Sequence, residues 1–327
     1  MENRTAVMEF ILMGCTSNPQ LQPLLFVVLL LTYILTIAGN IIIIIVTLVD
    51  HRLQAPMYFF LRNFSILEIG FTSAVSPKAL AILASNRKTI SLPACFTQTF
   101  FYFMLGTTES FLLAAMSFDR YVAICNPLRY TTIMNSQVRT LLVLGSWIGG
   151  FFLIIGPAVL LFQMPFCGPN VINHFFCDNT PLLKLACANT RLLESMSFVV
   201  AVFSLLGCFT ITVVSYISIV TTVMQMPSTT RRQKAFSTCA SHLIVVSITY
   251  GSCIFMYVRP TRDSKLDFSK GVSVLNTMVT PLLNPFIYSL RNKQVQVAIR
   301  DLFGKSGVFP KEPKKLIRLS PLSLFQT

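Results

Sequence analysis

The chain has few charged residues, and acidic residues are the scarcest. Only 12% of its 327 residues are Asp, Glu, Lys or Arg, whereas 54% are hydrophobic, and Asp and Glu together number 12. Soluble domains carry about 25% charged residues, so this composition excludes an ordinary soluble protein. The net charge of +14 does not indicate nucleic acid, because no dense basic patch with aromatic stacking positions lies outside the apolar runs. We expect the lipid bilayer, and no nucleic acid, as a partner.

Catalytic motifs and repeats are also missing from the sequence. The three histidines, His51, His174 and His242, are widely spaced, and neither H-E-x-x-H nor G-x-S-x-G occurs. No repeat of 20 to 50 residues is present, and no inverted pair of Gly- or Pro-broken spans of the kind that marks transporters. These patterns favour a protein that is not an enzyme, and they count against a transporter.

Long apolar stretches dominate what is present. Each reaches the length of about 20 residues that a helix needs to cross a bilayer, and in lipid every backbone polar group needs an internal partner. No alternating ten-residue strand patterns occur, so we predict an all-α membrane protein, a seven-transmembrane helix bundle. The apolar stretches cover residues 24–49, 57–83, 96–124, 140–163, 197–226, 235–258 and 271–290.

The seven stretches divide the chain into three parts. We expect residues 1–23 to form an extracellular N-terminal segment, 24–290 the transmembrane domain, and 291–327 a cytoplasmic helix and tail. Early in the tail, apolar residues recur at helical spacing with charged residues between them, which predicts a short amphipathic helix on the inner leaflet. Those apolar residues are Val295, Ala298, Ile299, Leu302 and Phe303.

Charge placement predicts the orientation of the chain. An odd number of spans puts the two termini on opposite sides, and an outer N-terminus places most of the 26 Lys and Arg residues inside, as the positive-inside rule expects. A glycosylation sequon at Asn3 agrees, because it can be used only on the lumenal side. We therefore predict a multi-pass plasma-membrane glycoprotein with an extracellular N-terminus.

Two carboxylates, Glu68 and Glu109, lie near the middle of their spans. An isolated ionised carboxylate in lipid is costly, so each must face the bundle interior and pair, hold a proton or bind a cation. Three interpretations remain open from the residues: an ion path through a transporter or channel, a sodium site, or protonated carboxylates hydrogen-bonded to Asn40, Asn284 or neighbouring hydroxyls.

The third span closes on a second group of charges, Asp119-Arg120-Tyr121. Charges at a membrane face serve either as an interfacial anchor or as functional groups. In the seventh span, Pro285 follows Asn284 and removes one backbone hydrogen bond, which gives either a static kink or a hinge.

Four of the nine cysteines, Cys95, Cys167, Cys177 and Cys187, lie at outer ends of spans or in the long outer loop. That compartment is oxidising, so they are candidates for disulfides. Three pairings are possible for four cysteines. Disulfides would leave His174 and Asp178, which flank Cys177, with too few further ligands for a metal.

Five motifs occur in order along nearly the whole chain, and together they resemble the olfactory receptors of the rhodopsin-like G-protein-coupled class. They are Asn40 in the first span, PMYFFLRNF from Pro56, Asp119-Arg120-Tyr121, KAFSTCASH from Lys234 and PLLNPFIYSLRNK from Pro281. The resemblance implies a receptor that binds a small volatile odorant within the bundle. It also implies activation of a stimulatory, olfactory-type heterotrimeric G protein that raises cyclic AMP.

The resemblance assigns roles to particular residues. It implies the disulfides Cys95 with Cys177 and Cys167 with Cys187, no cofactor, and a structural sodium site at Glu68 and Glu109, where Glu68 replaces the more usual Asp. It implies a switch in which the inner half of span six swings outward. The switch and coupling residues would be Asp119, Arg120, Tyr121, Tyr216, Asn284, Pro285 and Tyr288. At the third inner loop, Arg231, Arg232 and Lys234 serve either G-protein docking or topology.

A candidate ligand face lies on span three, where the spacing of Tyr102, Phe103, Gly106, Thr107 and Ser110 puts these residues on one side of the helix. The face carries no charge, and Tyr102 stands where amine receptors of the class have an aspartate. We therefore predict a neutral ligand, although core packing would produce the same pattern. By resemblance the opposite walls come from Val200, Ser204, Tyr250, Cys253, Ile254, Tyr257, Ser273 and Thr277.

Overall fold

The structure is a computed structural model that describes residues 8–16, 18–85, 87–167, 169–258 and 266–305. The glycosylation candidate Asn3 lies outside these residues. In chain order the helices are α1 (Gln22–Val49), α2 (Pro56–Ser85), α3 (Leu92–Cys125), α4 (Tyr130–Ile133), α5 (Ser136–Phe162), α6 (Asn179–Leu183), α7 (Arg191–Gln225), α8 (Thr229–Val258), α9 (Leu266–Val274), α10 (Thr280–Arg291) and α11 (Lys293–Lys305).

Seven of the predicted spans are present as helices in the described part of the chain. Among the described residues, α1, α2, α3, α5 and α7 are long and apolar enough to cross a membrane, and α8 contains the apolar stretch Cys239–Ile254. The seventh span consists of α9, a π-helical turn over Leu275–Val279, and α10. The predicted seven-helix bundle is therefore confirmed.

The helices run past the apolar stretches because polar caps set their ends. Ser91 accepts a hydrogen bond from the Ala94 amide at 3.4 Å and caps the start of α3. The helix therefore begins at Leu92, four residues before the apolar stretch 96–124. Asn135 caps α5 in the same way, since its Oδ1 accepts from the Val138 amide at 3.0 Å. Such side chains satisfy amide groups that the first helical turn leaves free.

The helix α3 forms the centre of the bundle. It packs against α2, α5 and α7, and it has the largest buried share of the five long spans. The outer surfaces of the surrounding helices are apolar, with exposed residues such as Leu31, Ile34, Leu144 and Phe198. An apolar surface of this extent suits a bilayer and not water, so the chain is a multi-pass membrane protein.

A small sheet covers the outer end of the bundle. Strand β1 (Glu9–Leu12) lies in the middle, antiparallel to β2 (Thr89–Ser91) and parallel to β3 (Val171–Ile172). After β1 the chain turns at Gly14, whose φ of 83° lies in the left-handed region that favours glycine. The sheet joins the N-terminal segment to the loop between α2 and α3 and to the loop that follows α5.

The amphipathic helix α11 packs against the inner end of α1 and the loop that follows it. Its apolar side is buried at Val295 and Ala298, as the sequence predicts, and the side chain of Phe303 lies outside the described residues. Arg52 holds this arrangement through Nη2, which lies 2.6 Å from a carboxylate oxygen of both Asp50 and Asp301. The predicted helix after the seventh span is confirmed.

The contact between α3 and α5 depends on Gly150, and we expect Gly150→Val to impair folding. A Cβ at this position would lie 3.1 Å from the Met104 carbonyl oxygen and would overlap the Thr108 side chain. Overpacking of this kind costs about 1 to 3 kcal/mol. Thermal unfolding and surface expression measure the effect. Gly145→Val is the matched control, because nothing lies within 4 Å of its Cβ, and equal losses in both variants would contradict the prediction.

Candidate functional site

The long outer loop is fixed to the top of α3. A disulfide joins Cys95 to Cys177, with Cα atoms 5.5 Å apart. The Cys177 amide donates to Gln98 Oε1 at 3.0 Å, and its carbonyl accepts from the Thr99 hydroxyl at 2.8 Å. A second disulfide links Cys167 to Cys187 within the loop. The structure thus contains both disulfides that the resemblance implies.

The fixed loop inserts aromatic side chains into the bundle. Phe175 and Phe176 are fully buried, and the Phe176 ring lies 4.7 Å from the ring of Tyr102. On its other side Tyr102 stacks on Phe71 of α2 at 5.2 Å. The outermost member of the predicted ligand face is therefore covered by the loop, and Phe176 is a site residue that the sequence analysis missed.

The deeper part of that face meets α8. Phe103, Gly106 and Thr107 are half-buried, and Ser110 is buried. The Tyr250 hydroxyl donates to the Ser110 carbonyl oxygen at 3.2 Å, which directly joins two residues that the sequence predicts to line a pocket. This hydrogen bond connects span three to span six.

The remaining predicted wall residues lie on α7, α8 and the seventh span. Val200 and Ile254 are partly buried and pack against the same apolar cluster as Tyr102 and Tyr250. Ser204, Ser273 and Thr277 are buried, and Cys253 is half-buried. The side chain of Tyr257 lies outside the described residues.

A polar residue that the sequence analysis missed connects two of these walls. Asn276, in the π-helical turn, accepts a hydrogen bond from Ser252 of α8 at 3.0 Å, and its amide group lies 3.9 Å from Cys253 Sγ. An isolated Asn in an apolar span is a detectable signal, because a buried amide needs partners, but the sequence does not say which.

Near this level lie the two buried carboxylates. Thr249 donates to Glu109 Oε1 at 3.2 Å, and Asn284 Nδ2 lies 2.5 Å from Glu68 Oε1. Asn40 does not join them, because its amide donates to the Thr36 carbonyl oxygen at 2.9 Å. Asn284 and the Thr249 hydroxyl are therefore hydrogen-bonded to the two carboxylates, as one of the three open interpretations expects. Asn40 instead bonds within its own helix.

Several buried oxygens around Glu68 have no hydrogen-bond partner among the residues that the structure describes. They are Glu68 Oε2, Thr72 Oγ1, Ser76 Oγ and Asn284 Oδ1, and the three from α2 recur every four residues, so they share one face of the helix. An all-oxygen set with one carboxylate suits a hard cation. Among the described residues no group of three or more His, Cys, Asp or Glu forms a metal site, so a cation here would depend on hydroxyl and amide oxygens.

The inner end of α3 holds a buried ion pair. The guanidinium of Arg120 donates to Asp119 Oδ2, and the Tyr130 hydroxyl donates to Asp119 Oδ1 at 2.9 Å. The exposed fractions are only 4% for Arg120 and 1% for Asp119. A buried charge without its partner is strongly destabilising, so Arg120 can leave this position only if another group or water receives it.

A second contact closes the inner end between α7 and α8. The Tyr216 hydroxyl lies 2.7 Å from His242 Nδ1, and Tyr216 packs with Tyr121 and Cys239. Pro285 of the seventh span lies against α1, where a Cβ at Gly39 would be 3.0 Å from it. His242 was missed as a site residue, although it ends the KAFSTCASH motif. The side chains of Tyr288, Arg231 and Lys234 lie outside the described residues.

The fold and this arrangement of residues define a class of protein. Squid rhodopsin superimposes on the chain with a TM-score of 0.66, covering 92% of this chain and 90% of the rhodopsin at 16% identity. With a central third helix, a loop tied to its top and a buried Asp-Arg pair at its base, the chain has the fold of the rhodopsin-like receptors.

The family follows from sequence comparison. The family described as "Olfactory receptor" matches residues 29–305. Olfactory receptor 6E1 of Mus musculus is 58% identical over 310 residues, 94% of this chain and 99% of the relative. Olfactory receptor 6C75 of Homo sapiens is 54% identical over 305 residues, 93% of this chain and 98% of the relative. The chain belongs to the olfactory receptor family, and it is a receptor and not an enzyme.

Two titratable groups of the outer loop have shifted pKa values. Burial, and to a smaller extent the positive charge of Lys270, lower the pKa of His174 to about 3. The His174 ring lies between Phe175 and Phe176, 4.7 and 4.5 Å away. Burial raises the pKa of Asp178 to about 6. The two shifts change the free energy of unfolding in opposite directions as the pH falls.

We expect stability to respond to pH with opposite signs in two variants. In Asp178→Asn only His174 remains of the two groups. Its imidazole binds a proton near pH 6.5 in the unfolded chain but only near pH 3 in the folded loop. The free energy of unfolding therefore falls by about 2 kcal/mol as the pH is lowered from 6.5 to 5. In His174→Phe only Asp178 remains, and because the folded loop binds its proton first, stability rises by about 1 kcal/mol over the same range.

Thermal unfolding of the purified receptor at the two pH values measures both effects. The difference between the variants is the informative quantity, because all other titrating groups are common to them. A difference that stays constant with pH would contradict the assigned environments.

Proposed function

We propose that this receptor binds a small neutral odorant within the outer half of the bundle and activates a stimulatory, olfactory-type heterotrimeric G protein, raising cyclic AMP. In this proposal the protein lies in the plasma membrane with its N-terminus outside, and Asn3 is glycosylated. Family membership supports the odorant and the G protein, and the bias of Lys and Arg toward the inner side supports the orientation.

One observation carries the proposal: the hydrogen bond from the Tyr250 hydroxyl to the Ser110 carbonyl. It joins α3 to α8 at the level of the ligand face, beside Thr249 and Glu109, which form the neighbouring contact between the same helices. A ligand that contacts Tyr250 therefore acts on the helix whose inner half is held by Tyr216 and His242.

The proposed mechanism is a shift between two states of the bundle. An odorant moves the equilibrium only by its difference in affinity for the two states. In the closed state Arg120 is bound by Asp119, and Tyr216 by His242. Opening requires α8 to leave α7 and Arg120 to gain a new partner, and the G protein would supply one. Pro285, which removes a backbone hydrogen bond in α10, would act as the hinge.

The chemistry of the proposed pocket favours a neutral ligand with one hydrogen-bonding group. Tyr102, Phe103, Gly106, Thr107 and Ser110 bring rings and hydroxyls but no charge, and so do Tyr250 and Thr277 on the opposite side. A charged amine would lose its hydration without gaining a counter-ion on this face, which is costly. Small-molecule sites are commonly apolar with a few convergent polar groups.

We further propose that the carboxylate layer holds either sodium or protons. Glu68, Thr72, Ser76 and Asn284 would hold the ion, and it would supply the positive charge that a buried carboxylate lacks. Glu109 completes the layer from α3. With a proton in place of sodium, Glu68 would remain neutral and bonded to Asn284.

Signalling should depend on Arg120. We expect Arg120→Ala to reduce odorant-evoked cyclic AMP to background while the receptor still reaches the cell surface, because the group that is released toward the G protein is gone. Arg191→Ala removes the same charge at the exposed outer end of α7 and serves as the control. A full cyclic AMP response from Arg120→Ala would exclude the proposed coupling role.

The position of the pocket can be tested by enlarging Gly106. Only Phe71, at 3.6 Å, lies within 4 Å of a Cβ at this position, so Gly106→Leu fits the fold and narrows the adjacent space. We expect potency to fall by about tenfold for the longest members of a homologous odorant series and little for the shortest. Gly207→Leu, on an exposed face of α7, is the control. Unchanged potency across the series would show that the pocket lies elsewhere.

A further inference from the structure

Two arginines share one phenylalanine ring near the inner ends of α2 and α5. The guanidinium carbon of Arg62 lies 5.2 Å from the Phe59 ring centroid, and that of Arg139 lies 5.0 Å from it. Phe59 and Arg62 both belong to α2, whereas Arg139 comes from the first turn of α5. The ring therefore brings two like charges from different helices together, in an arrangement that the proposed receptor mechanism does not use.

No carboxylate in the described part of the chain neutralises this pair. The ion pairs there are those of Arg52 with Asp50 and Asp301, and of Arg120 with Asp119. Arg139 donates one long hydrogen bond, 3.5 Å from Nη1 to the Gln54 carbonyl oxygen, and its Nε is buried without a partner. Two cations that share one ring and have donors to spare favour the binding of an anion.

The depth of the pair identifies the source of that anion. Arg62 is six residues into α2 and Arg139 three residues into α5, so they lie about 9 and 5 Å from the inner helix ends at 1.5 Å per residue. This is the level of the lipid headgroups. In the orientation proposed above it is the cytoplasmic leaflet, which carries the anionic phospholipids.

An apolar groove continues outward from the arginines along the surface of the bundle. It has a volume of about 930 Å³, and it begins at Ile66, one turn beyond Arg62. Gly70 of α2 and Trp147 of α5 line its inner part, and Lys78, Thr89 and Ser91 line its outer end. From Ile66 to Ala74 the inner part of the groove runs about 12 Å along α2, which lies within half the thickness of a bilayer core.

We propose that an anionic phospholipid of the inner leaflet binds at this position, with its phosphate at Arg62 and Arg139 and one acyl chain in the inner part of the groove, at Ile66 and Gly70. The guanidinium groups donate to the phosphate oxygens, a geometry that arginine favours. The lipid thereby joins α2 to α5 at the inner end, and Phe59 holds both arginines in place before the lipid arrives.

Lipid retention by the purified receptor tests the proposal. The receptor is placed in nanodiscs of phosphatidylcholine alone or with phosphatidylserine added, and co-purifying lipids are counted by native mass spectrometry. We expect phosphatidylserine to be retained over phosphatidylcholine by roughly tenfold or more, because two cations act on one headgroup, and to raise the unfolding temperature. The variant Arg62→Gln/Arg139→Gln should lose both effects.

The control variant is Arg129→Gln/Lys293→Gln, which removes two exposed positive charges from the same membrane side and should keep the preference. Equal retention of the two lipids by the unmodified receptor would overturn the proposal, even if the double variant does not fold. Adding inorganic phosphate to phosphatidylcholine nanodiscs distinguishes a lipid headgroup from a free anion. An equal rise in unfolding temperature with inorganic phosphate alone would also overturn the lipid proposal. None of these measurements involves odorant or G protein, so they stand apart from the test of the receptor function.

Discussion

A polar side chain buried inside the bundle is costly without a hydrogen-bond partner, and most of the partners in this structure lie on another helix or on the residue's own helix backbone. This constraint explains the line of polar contacts that runs along α3. Near the middle of α3 the Ser110 carbonyl accepts from Tyr250 and the Glu109 carboxylate from Thr249, and at the base Asp119 holds Arg120 and Tyr130. Around these contacts the packing is apolar and close, as at Gly150. Each polar contact therefore fixes the register of two helices, and a change in one is expected to reach the next through a rigid segment of α3.

The same constraint explains how a small ligand could shift the proposed equilibrium between two states of the bundle. In the proposed mechanism the inner end is held closed by Tyr216 with His242 and Arg120 with Asp119, beside a small apolar cluster that includes Ile219 and Val223. Each of these contacts contributes a small net free energy when its groups can exchange it for an equivalent partner. The two states can then differ by only a few kcal/mol, which lies within the range that a small molecule supplies.

Sequence alone predicted the seven spans and the amphipathic helix, because apolar runs and helical spacing are local signals. It did not predict the outer sheet, since β1 has four residues and its partners are distant in sequence. Individual partners were also missed: Asn276, His242 and Phe176 are single residues whose contacts depend on how helices rotate and where the loop enters. The pair of Arg62 and Arg139 belongs to the same group, because each arginine by itself is an ordinary positive charge at an inner helix end. Asn40 shows the converse, a polar residue expected near the carboxylates that bonds within its own helix.

The order of strands in the outer sheet constrains how the receptor is made. Strand β1 is synthesised first, yet it lies between β2 and β3, and β3 is translated only after four spans have been inserted. In the proposed orientation the N-terminal segment therefore waits in the lumen, with one edge of β1 unpaired, until the long loop arrives. Because such non-local pairings form slowly and an unpaired strand can associate with other chains, the completion of this sheet is an expected kinetic bottleneck in biogenesis. A chaperone that covers β1 during that interval would raise the yield of folded receptor without contacting the membrane domain.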